Sequence, residues 1–235
     1  MTPRVAGADG CRAGWVVAVS AGVASTVSVA PTFADVVDVA GDSRVIGVDM
    51  PIGFLDAAAP GGRDCDRQAR RLLGPRGCCV FSPPVRSALR ERTFAAALAA
   101  NRASSPAHLG ISLECFGLFD KLREVDTVLA RRPELRDRVR EVHPELAFRA
   151  MAAARAGLRP KRSAGGRTHR LRLLAEHFDG LRRLVARRPR GAAVDDVLDA
   201  HAVCWSAARI ARGIAVCLTG RPARDRYGRP MAIWY

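Results

Sequence analysis

The sequence lacks several features that would by themselves assign it to a class of protein. No apolar segment is long enough to span a bilayer, and neither an internal repeat nor a flexible linker is visible. The N-terminus does not combine a charged start with an unbroken apolar run, as a secretory signal would. These absences predict a protein with no membrane partner, and its 49% of hydrophobic residues predict a globular fold.

The seven cysteines have no metal-binding spacing. Cys78 and Cys79 are adjacent, the other cysteines stand alone, and no two cysteines are separated by two residues. Because zinc sites use such pairs, we predict no structural zinc site. Isolated cysteines in odd number favour free thiols in a reducing compartment, which fits the cytoplasm.

Positive charge is abundant and comes almost entirely from arginine. The chain has 38 Lys and Arg against 23 Asp and Glu, a formal net charge of +15, and its only lysines are Lys121 and Lys161. Arginine stays charged and binds phosphate through two hydrogen bonds, so this composition favours a polyanionic partner, above all nucleic acid. A GC-rich genome would produce the same arginine bias without such a partner, and composition alone leaves both explanations open.

Short apolar runs separated by turns predict an α/β fold. Three runs near the N-terminus can pair as an antiparallel meander, with Gly10 and Gly14 in the first turn. The fourth run follows a helix that Thr32 can cap, and this order favours parallel pairing in a sheet covered by helices. The predicted strands are Val5–Ala8, Trp15–Val19, Ala24–Ala30, Arg44–Val48 and Val139–His143.

The rest of the chain is predicted to be largely helical. We expect a single domain, 1–235, with a helical insertion at about 57–137. The insertion holds one helix capped by Asp64 and another with an apolar stripe over 118–129. The later predicted elements are a helix beginning at Pro144, a basic glycine loop at 161–167, a helix with an apolar face over 171–185, a helix from Asp195 to Arg212 and a short strand at 214–218.

Acidic side chains stand where the predicted fold brings them to one edge of the sheet. Asp9 and Asp49 each follow a buried strand, and neighbouring parallel strands carry their carboxyl ends to the same edge. Asp196 and Asp199 are three residues apart on a helix and share a face. Each acid also has a local explanation, because Asp9 can cap its own turn and acids, Asp195 included, are favoured at a helix N-terminus.

Carboxylates that lie together need a counter-charge. They repel one another and raise each other's pKa values, and a pair of divalent cations removes this cost. Mg²⁺ prefers oxygen ligands and combines carboxylates with substrate phosphate, and two such ions can stabilise the attacking and leaving oxygens of phosphodiester hydrolysis. We therefore expect Mg²⁺ (or Mn²⁺) as the cofactor. The predicted metal ligands are Asp9, Asp49, Asp196 and Asp199.

Motifs along nearly the whole chain resemble a known family. They are Gly7–Arg12 with Gly14–Trp15, Val48–Gly53, Arg63 with Cys65–Asp66, Phe81 with Pro84 and Arg86, Val142–Leu146, and Asp195–Ala200. The acids among them resemble the plan of the RNase H-like superfamily, and the Asp196–Ala200 helix is similar to the final helix of Holliday-junction resolvases. The closer resemblance is to a prokaryotic family, domain of unknown function 429 (DUF429), described as predicted RNase H-like nucleases. One departure is Asp49, where the superfamily often has Glu.

The resemblance implies an RNase H-like fold and a Mg²⁺-dependent nuclease that acts on nucleic acid by a two-metal mechanism. The predicted catalytic residues are Asp9, Asp49, Asp196, Asp199, Glu145 and His143. Glu145 is either a ligand or a first-turn acid of its helix, and His143 is either the proton donor to the leaving oxygen or a hydrogen-bonded histidine at a strand end. The basic residues predicted to hold phosphates, by their places in or near turns, are Arg12, Arg63, Arg67, Arg86, Lys161 and Arg167.

Two other classes of function fit parts of the pattern. A non-catalytic nucleic-acid-binding or interaction protein could retain the same fold, although acids at every expected strand end weigh against it. Phosphotransferases of the sugar-kinase and actin type share the core fold, but they duplicate the domain. No duplication or second glycine-rich phosphate loop is visible here.

Overall fold

The computed structural model describes residues 2–152, 158–159, 161 and 163–235, which form a mixed five-stranded sheet flanked by helices. The strands are β1 (Arg4–Cys11), β2 (Gly14–Ala21), β3 (Ala24–Ala30), β4 (Val45–Val48) and β5 (Val139–Glu141). Their order across the sheet is β3-β2-β1-β4-β5. β1, β2 and β3 pair antiparallel, whereas β4 pairs parallel with both β1 and β5. The predicted α/β class and mixed sheet are confirmed.

β1 is longer than predicted, so that Asp9 lies within the strand and not after its end. β2 pairs with β1 along its whole length, and Asp9 lies opposite Val16. β4 pairs only with Val5–Ala8, so Asp9 is the first residue of β1 beyond the parallel ladder. The antiparallel partner explains the extra length, because β2 continues to satisfy the backbone of β1 after β4 has ended.

One face of the sheet is covered by α1 (Phe33–Ala40). Thr32 caps this helix as predicted, because its hydroxyl accepts a hydrogen bond from the backbone N–H of Asp35 at 3.3 Å. The fully buried Trp15 packs edge-on against Phe33, with ring centroids 5.2 Å apart. These aromatic rings fix the helix against the meander.

The opposite face of the sheet is covered by α9 (Val194–Ala211), which approaches β1 and β4 closely. Both strands have a glycine under the helix. A Cβ atom at Gly7 would lie 2.1 Å from the backbone nitrogen of Cys204, and one at Gly47 would lie 2.7 Å from a valine methyl of α9. Any larger residue at these two positions would push the helix away from the sheet.

The remaining α-helices of the described chain are α2 (Asp64–Leu73), α3 (Phe94–Ala103), α4 (Leu113–Gly117), α5 (Phe119–Arg131), α6 (Pro144–Ala152), α7 (Ala164–Ala175) and α8 (Leu181–Ala186). Short 3₁₀ turns lie at Gly74–Cys79, Ala88–Arg90 and Pro133–Asp137. The predicted apolar stripe of α5 is buried, and α6 begins at Pro144 as predicted. No helix in the described part of the chain is both long enough and apolar enough to cross a membrane.

The predicted cap of α2 is wrong, and α9 begins one residue earlier than predicted. Arg63, rather than the aspartate after it, precedes α2, and its backbone N–H donates to the carboxylate of Asp66 at 2.9 Å. Likewise Ala193 rather than Asp195 precedes α9, and its N–H donates to Asp196 at 2.8 Å. In both helices the acid lies in the first turn and reaches back to the cap, which is the acidic half of a capping box.

The elements predicted over 161–185 also differ. Ser163 caps α7, its hydroxyl accepting from the N–H of Gly166 at 3.0 Å, so most of the predicted glycine loop is helical. Arg162, within that predicted loop, lies outside the described residues. The long helix predicted over 171–185 is divided, since α7 ends at Ala175 and Gly180, with a φ of 67°, precedes α8.

The strands near the C-terminal half are shorter than predicted. β5 ends at Glu141, and Val142 forms only an isolated bridge with Trp234. Residues 214–218 are all described and form no regular strand. Within this segment Val216 exchanges two backbone hydrogen bonds with Tyr235, at 2.8 and 3.1 Å.

Two compact units make up the chain. One comprises Met1–Met50, Glu134–Val216 and Trp234–Tyr235 and contains the sheet; the other comprises Pro51–Pro133 and Cys217–Ile233. The single domain with an insertion at about 57–137 stays a prediction.

Candidate metal centre

Three carboxylates from different elements meet at the carboxyl edge of the parallel strands. They belong to Asp9 of β1, Asp49 directly after β4, and Asp199 of α9, and an oxygen atom of each lies within 4.8 Å of the others. Asp9 is 9% exposed and Asp199 is 2% exposed, while Asp49 is half-buried. Such buried carboxylates carry a large desolvation cost unless a proton or a cation compensates them.

The alternation of side chains along the strands explains why these acids face α9. Successive side chains of a strand point to opposite faces, so Gly7 shares a face with Asp9, and Gly47 with Asp49. The glycines admit the helix, and the acids two residues further along meet its Asp199. The backbone N–H of Asp49 donates to a β1 carbonyl at 2.9 Å, which ties the two strand ends together.

Burial raises the pKa values of all three carboxyl groups, and the charges of neighbouring acids raise them further. For Asp49 and Asp199, burial is the largest cause, and it raises each pKa to about 7 against the pull of Lys161. The pKa of Asp9 is raised well above its usual value, first by burial and then by the charges of Asp199 and Asp49. The cluster therefore does not hold three negative charges at neutral pH without help.

Lys161 supplies positive charge to this cluster. Its ammonium group forms an ion pair with Oδ2 of Asp199. Burial alone would lower the pKa of Lys161, but the charges of Asp199, Asp9 and Asp49 raise it above the usual value. The other oxygen of Asp199, Oδ1, is buried and has no hydrogen-bond partner. Lys161 was predicted to bind nucleic acid. In the structure it lies in the acidic centre, paired with Asp199.

Two further acids, Asp195 and Asp196, lie in the first turn of α9, the helix that carries Asp199. Asp196 uses Oδ2 to cap the helix, yet its charge contributes to the raised pKa of Asp9. Asp195 has a buried Oδ1 without a hydrogen-bond partner. The structure therefore places Asp199, and not Asp196, in the group with Asp9 and Asp49. The assignment of Asp196 as a ligand stays a prediction.

Glu145 lies near the carboxylates but has a partner of its own. Both of its oxygens accept hydrogen bonds from Nη2 of Arg170, at 2.8 and 3.0 Å, and the two side chains are buried, with Glu145 4% and Arg170 0% exposed. The charge of Glu145 contributes to the raised pKa values of Asp49 and Asp199. Glu145 is thus a first-turn acid of α6 that is paired and close to the centre, and its role as a ligand stays a prediction.

His143 caps the same helix. Its ring nitrogen Nδ1 accepts a hydrogen bond from the backbone N–H of Glu145 at 3.3 Å. In the neutral ring this leaves the proton on Nε2. The hydrogen-bonded histidine at a strand end was one of the two interpretations of His143, and proton donation to a leaving oxygen stays a prediction.

A comparison with models of protein families assigns this chain to a family. The model described as "Protein of unknown function (DUF429)" matches residues 7–224. The chain belongs to the DUF429 family. The predicted family is therefore confirmed, and the matched range contains Asp9, Asp49 and Asp199. Neither the comparison with curated proteins nor that with solved structures found a match.

Two arginines of this DUF429 protein that were predicted to hold phosphates are buried instead. Arg63 is 2% exposed, and its Nη2 binds Asp66 at 2.6 Å. Arg86 is 4% exposed and binds Asp126 at 2.6 Å and Asp225 at 2.5 Å. Their guanidinium groups are engaged within the protein and cannot reach a polyanion. We therefore remove both from the predicted nucleic-acid surface.

The other predicted basic residues reach the surface to different degrees. Arg12 is exposed in the turn between β1 and β2, three residues after Asp9. The side chain of Arg67 is 44% exposed and pairs with Asp64 at 3.2 Å, and Arg167 is half-buried on α7. Of these, Arg12 lies closest in the chain to the acidic centre, and phosphate binding by the three stays a prediction.

Sequence reasoning missed two features of this centre. Arg170 gave no signal, because it stands among several arginines in a segment predicted only from its apolar face. Lys161 is one of only two lysines in an arginine-rich chain, a signal that could have identified it, but nothing in the sequence pairs it with Asp199. Both interactions depend on how α7 and the residues before it pack, and that is not encoded in local spacing.

Proposed function

We propose that this DUF429 protein is a metal-dependent nuclease that hydrolyses phosphodiester bonds of nucleic acid. One observation carries the proposal: oxygen atoms of Asp9, Asp49 and Asp199 lie within 4.8 Å of one another. The resemblance to the RNase H-like superfamily supports the proposal. That resemblance implies acids after the first strand of a meander, on the fourth strand and on a late helix. The basic composition is compatible with a polyanionic substrate.

The donor set fits a hard divalent cation. Asp9, Asp49 and Asp199 offer carboxylate oxygens, the ligands that Mg²⁺ and Mn²⁺ prefer. Oδ1 of Asp199 is buried without a hydrogen-bond partner, and a cation would satisfy it. These three side chains would hold Mg²⁺ or Mn²⁺. In a two-metal mechanism Asp196, whose charge already acts on Asp9, would serve the second ion.

The chain's own residues have distinct parts in this proposal. A bound divalent ion supplies a Lewis acid that activates water and stabilises charge on phosphoryl oxygens. Beside the ligands, the buried pair of Glu145 and Arg170 holds the start of α6 in place. Nε2–H of His143 would donate a hydrogen bond to the leaving oxygen, and transfer of a proton would require the imidazolium form of the ring. The exposed Arg12 would bind a substrate phosphate.

The proposal is tested by a cleavage panel with and without metal. Wild-type protein is incubated with single-stranded, duplex, hybrid and branched oligonucleotides in Mg²⁺, Mn²⁺ or EDTA. We expect cleavage only with metal, together with a higher melting temperature, because binding to the native state adds about 2.7 kcal/mol at a hundredfold excess over Kd. Asp9→Asn should abolish cleavage and most of the thermal response, since it removes a negative ligand without changing shape.

The matched control is Asp42→Asn, which makes the same chemical change at a side chain that is 88% exposed. This variant should cleave and respond to metal as wild type does. A wild-type protein that cuts no substrate in the panel and shows no metal-dependent shift would contradict the proposed function.

A non-catalytic nucleic-acid-binding protein is the second candidate, and Lys161 favours it. Its ammonium group pairs with Asp199 and balances part of the negative charge without any metal. Under this alternative the melting temperature would not respond to Mg²⁺ or Mn²⁺, and oligonucleotides would bind without being cut. The same panel therefore separates the two candidates.

A further inference from the structure

A dense group of exposed arginines lies on α8 and in the turn between α8 and α9. We name Arg182, Arg183, Arg187, Arg188 and Arg190 the basic segment; all five are exposed. The sequence has no acidic residue from 180 to 194. Among the described residues, none of the five forms an ion pair. Their positive charge is therefore not balanced by the protein.

The basic segment is fixed to the core. Leu181 and Val185 of α8 are buried, at 1% and 9% exposed, and anchor its first part. In the following turn, Nε of Arg188 donates to the carbonyl of Ala192 at 3.1 Å, and the N–H of Ala192 donates to Pro189 at 3.2 Å. The arginines therefore extend from a held backbone, which lowers the entropy lost when they bind a ligand.

The end of this segment packs against the turn between β1 and β2. Gly191 has a φ of 90°, and a Cβ atom there would lie 2.6 Å from Cβ of Ala13. Arg12, next to Ala13 and exposed, adds its charge at the same place. Asp9 lies three residues before Arg12, and α9 with Asp199 begins shortly after Gly191. The basic segment thus borders the edge of the sheet that carries the acidic centre.

We infer that Arg12 and the basic segment form the surface that binds the sugar–phosphate backbone of a nucleic acid extending from the acidic centre, an inference that rests on the proposed nuclease function. Arginines on a held backbone suit repeated phosphates, each of which accepts two hydrogen bonds from a guanidinium group. An anionic membrane is a poorer partner, because Leu181 and Val185 of α8 are buried and are not exposed for insertion into a bilayer.

The test compares two triple variants that change net charge equally. Arg182, Arg187 and Arg190 are replaced by Gln in one, and the exposed Arg92, Arg102 and Arg131 in the other. Binding of single-stranded and duplex oligonucleotides is measured by fluorescence anisotropy in EDTA, which prevents cleavage, over a range of salt concentrations. The same proteins are mixed with phosphatidylglycerol vesicles.

We expect the first variant to bind oligonucleotides at least about tenfold more weakly at 0.1 M salt, and its salt slope to fall by about 0.7–0.9 for each phosphate that the variant no longer neutralises. The control variant should bind like wild type. Equal weakening in the two variants would overturn the inference, because general charge would then explain binding. Loss of vesicle binding alone in the first variant would overturn it in favour of a membrane.

The result that would contradict the proposed nuclease function differs from the results that would contradict the binding surface. If wild-type protein binds no oligonucleotide, in EDTA or with Mg²⁺, the nucleic-acid substrate itself is wrong and the inference falls with it. If wild type cleaves and both triple variants bind normally, the nuclease proposal stands and only the surface is wrong.

Discussion

Asp49 and Asp199 make the metal-free protein sensitive to pH. Each has a pKa of about 7 when folded, whereas its usual value is 3.8. Between these values the folded state holds more protons than the unfolded state, so the free energy of unfolding should fall as pH rises from about 4 to 7. In EDTA, urea denaturation should therefore show lower stability at pH 8 than at pH 5, with this cluster as one contributor.

Asp49→Asn isolates that contribution. It should flatten the decrease in stability between pH 5 and pH 8, because one carboxyl group no longer loses a proton in this window. The exposed Asp42→Asn should leave the slope of wild type unchanged. An Asp49→Asn variant with the wild-type slope would contradict the raised pKa.

Some residues of the candidate metal centre could be predicted from the sequence and others could not. Asp9 and Asp49 were predictable because both follow apolar runs that pair in parallel. Spacing alone placed Asp196 and Asp199 on one face, but the way α9 lies over the strands decides that Asp199 meets the other acids. The burial of Arg63 could not be predicted, because a basic residue near a turn is normally solvated and only the fold shows its partner Asp66.

At the scale of elements, the distance between α9 and the sheet holds the centre together. Gly7→Ala would place a methyl group 2.1 Å from the backbone of α9, so the helix must move. We expect a loss of about 1–3 kcal/mol or more in the free energy of unfolding, as for an overpacked core. Metal affinity should fall as well, because Asp199 moves with the helix while Asp9 stays on β1.

Gly117→Ala is the control for this change. Gly117 ends α4, and outside its chain neighbours and the backbone of its own helix no atom lies within 4 Å of a Cβ built there. Its stability should be unchanged or higher by up to about 1 kcal/mol, since alanine favours helix over glycine. Urea denaturation and a metal titration of both variants check the expectation. A Gly7→Ala protein as stable as wild type would show that the helix and the sheet do not pack so closely.

The elements differ in how well the sequence predicted them. The opening strands and α1 were predicted because alternation, glycine turns and a Thr cap agree with one another. The break between α7 and α8 was not, because the apolar spacing continues through residues 176–180 and Gly180 was not recognised as a helix boundary. The extension of β1 past Asp9 depends on β2, a partner that local spacing does not include.

Across the whole molecule, the cysteines should react in three classes. None of the seven is in a disulfide: Cys78 and Cys79 are exposed, and Cys217 is partly buried. The other four are buried, and burial raises the pKa of Cys115 and Cys204 to about 12, so their reactive thiolate is scarce. With a thiol reagent, the native protein should therefore show two fast thiols, with Cys217 slower.

Unfolding in urea without reductant should expose all seven thiols. Replacing the exposed pair, as Cys78→Ser with Cys79→Ser, should remove the fast phase and leave the rest. Fewer than seven thiols after unfolding would reveal a disulfide and contradict the reducing setting inferred from the sequence.

The proposed metal centre joins residues that are made at very different times during translation. Asp9 is in the first strand, whereas Asp199 is in a late helix. Until the ribosome has released α9, the growing chain has only Asp9 and Asp49 and lacks the third ligand. A nuclease assembled in this order would stay inactive beside the messenger that encodes it, and its activity would begin only once synthesis has passed α9.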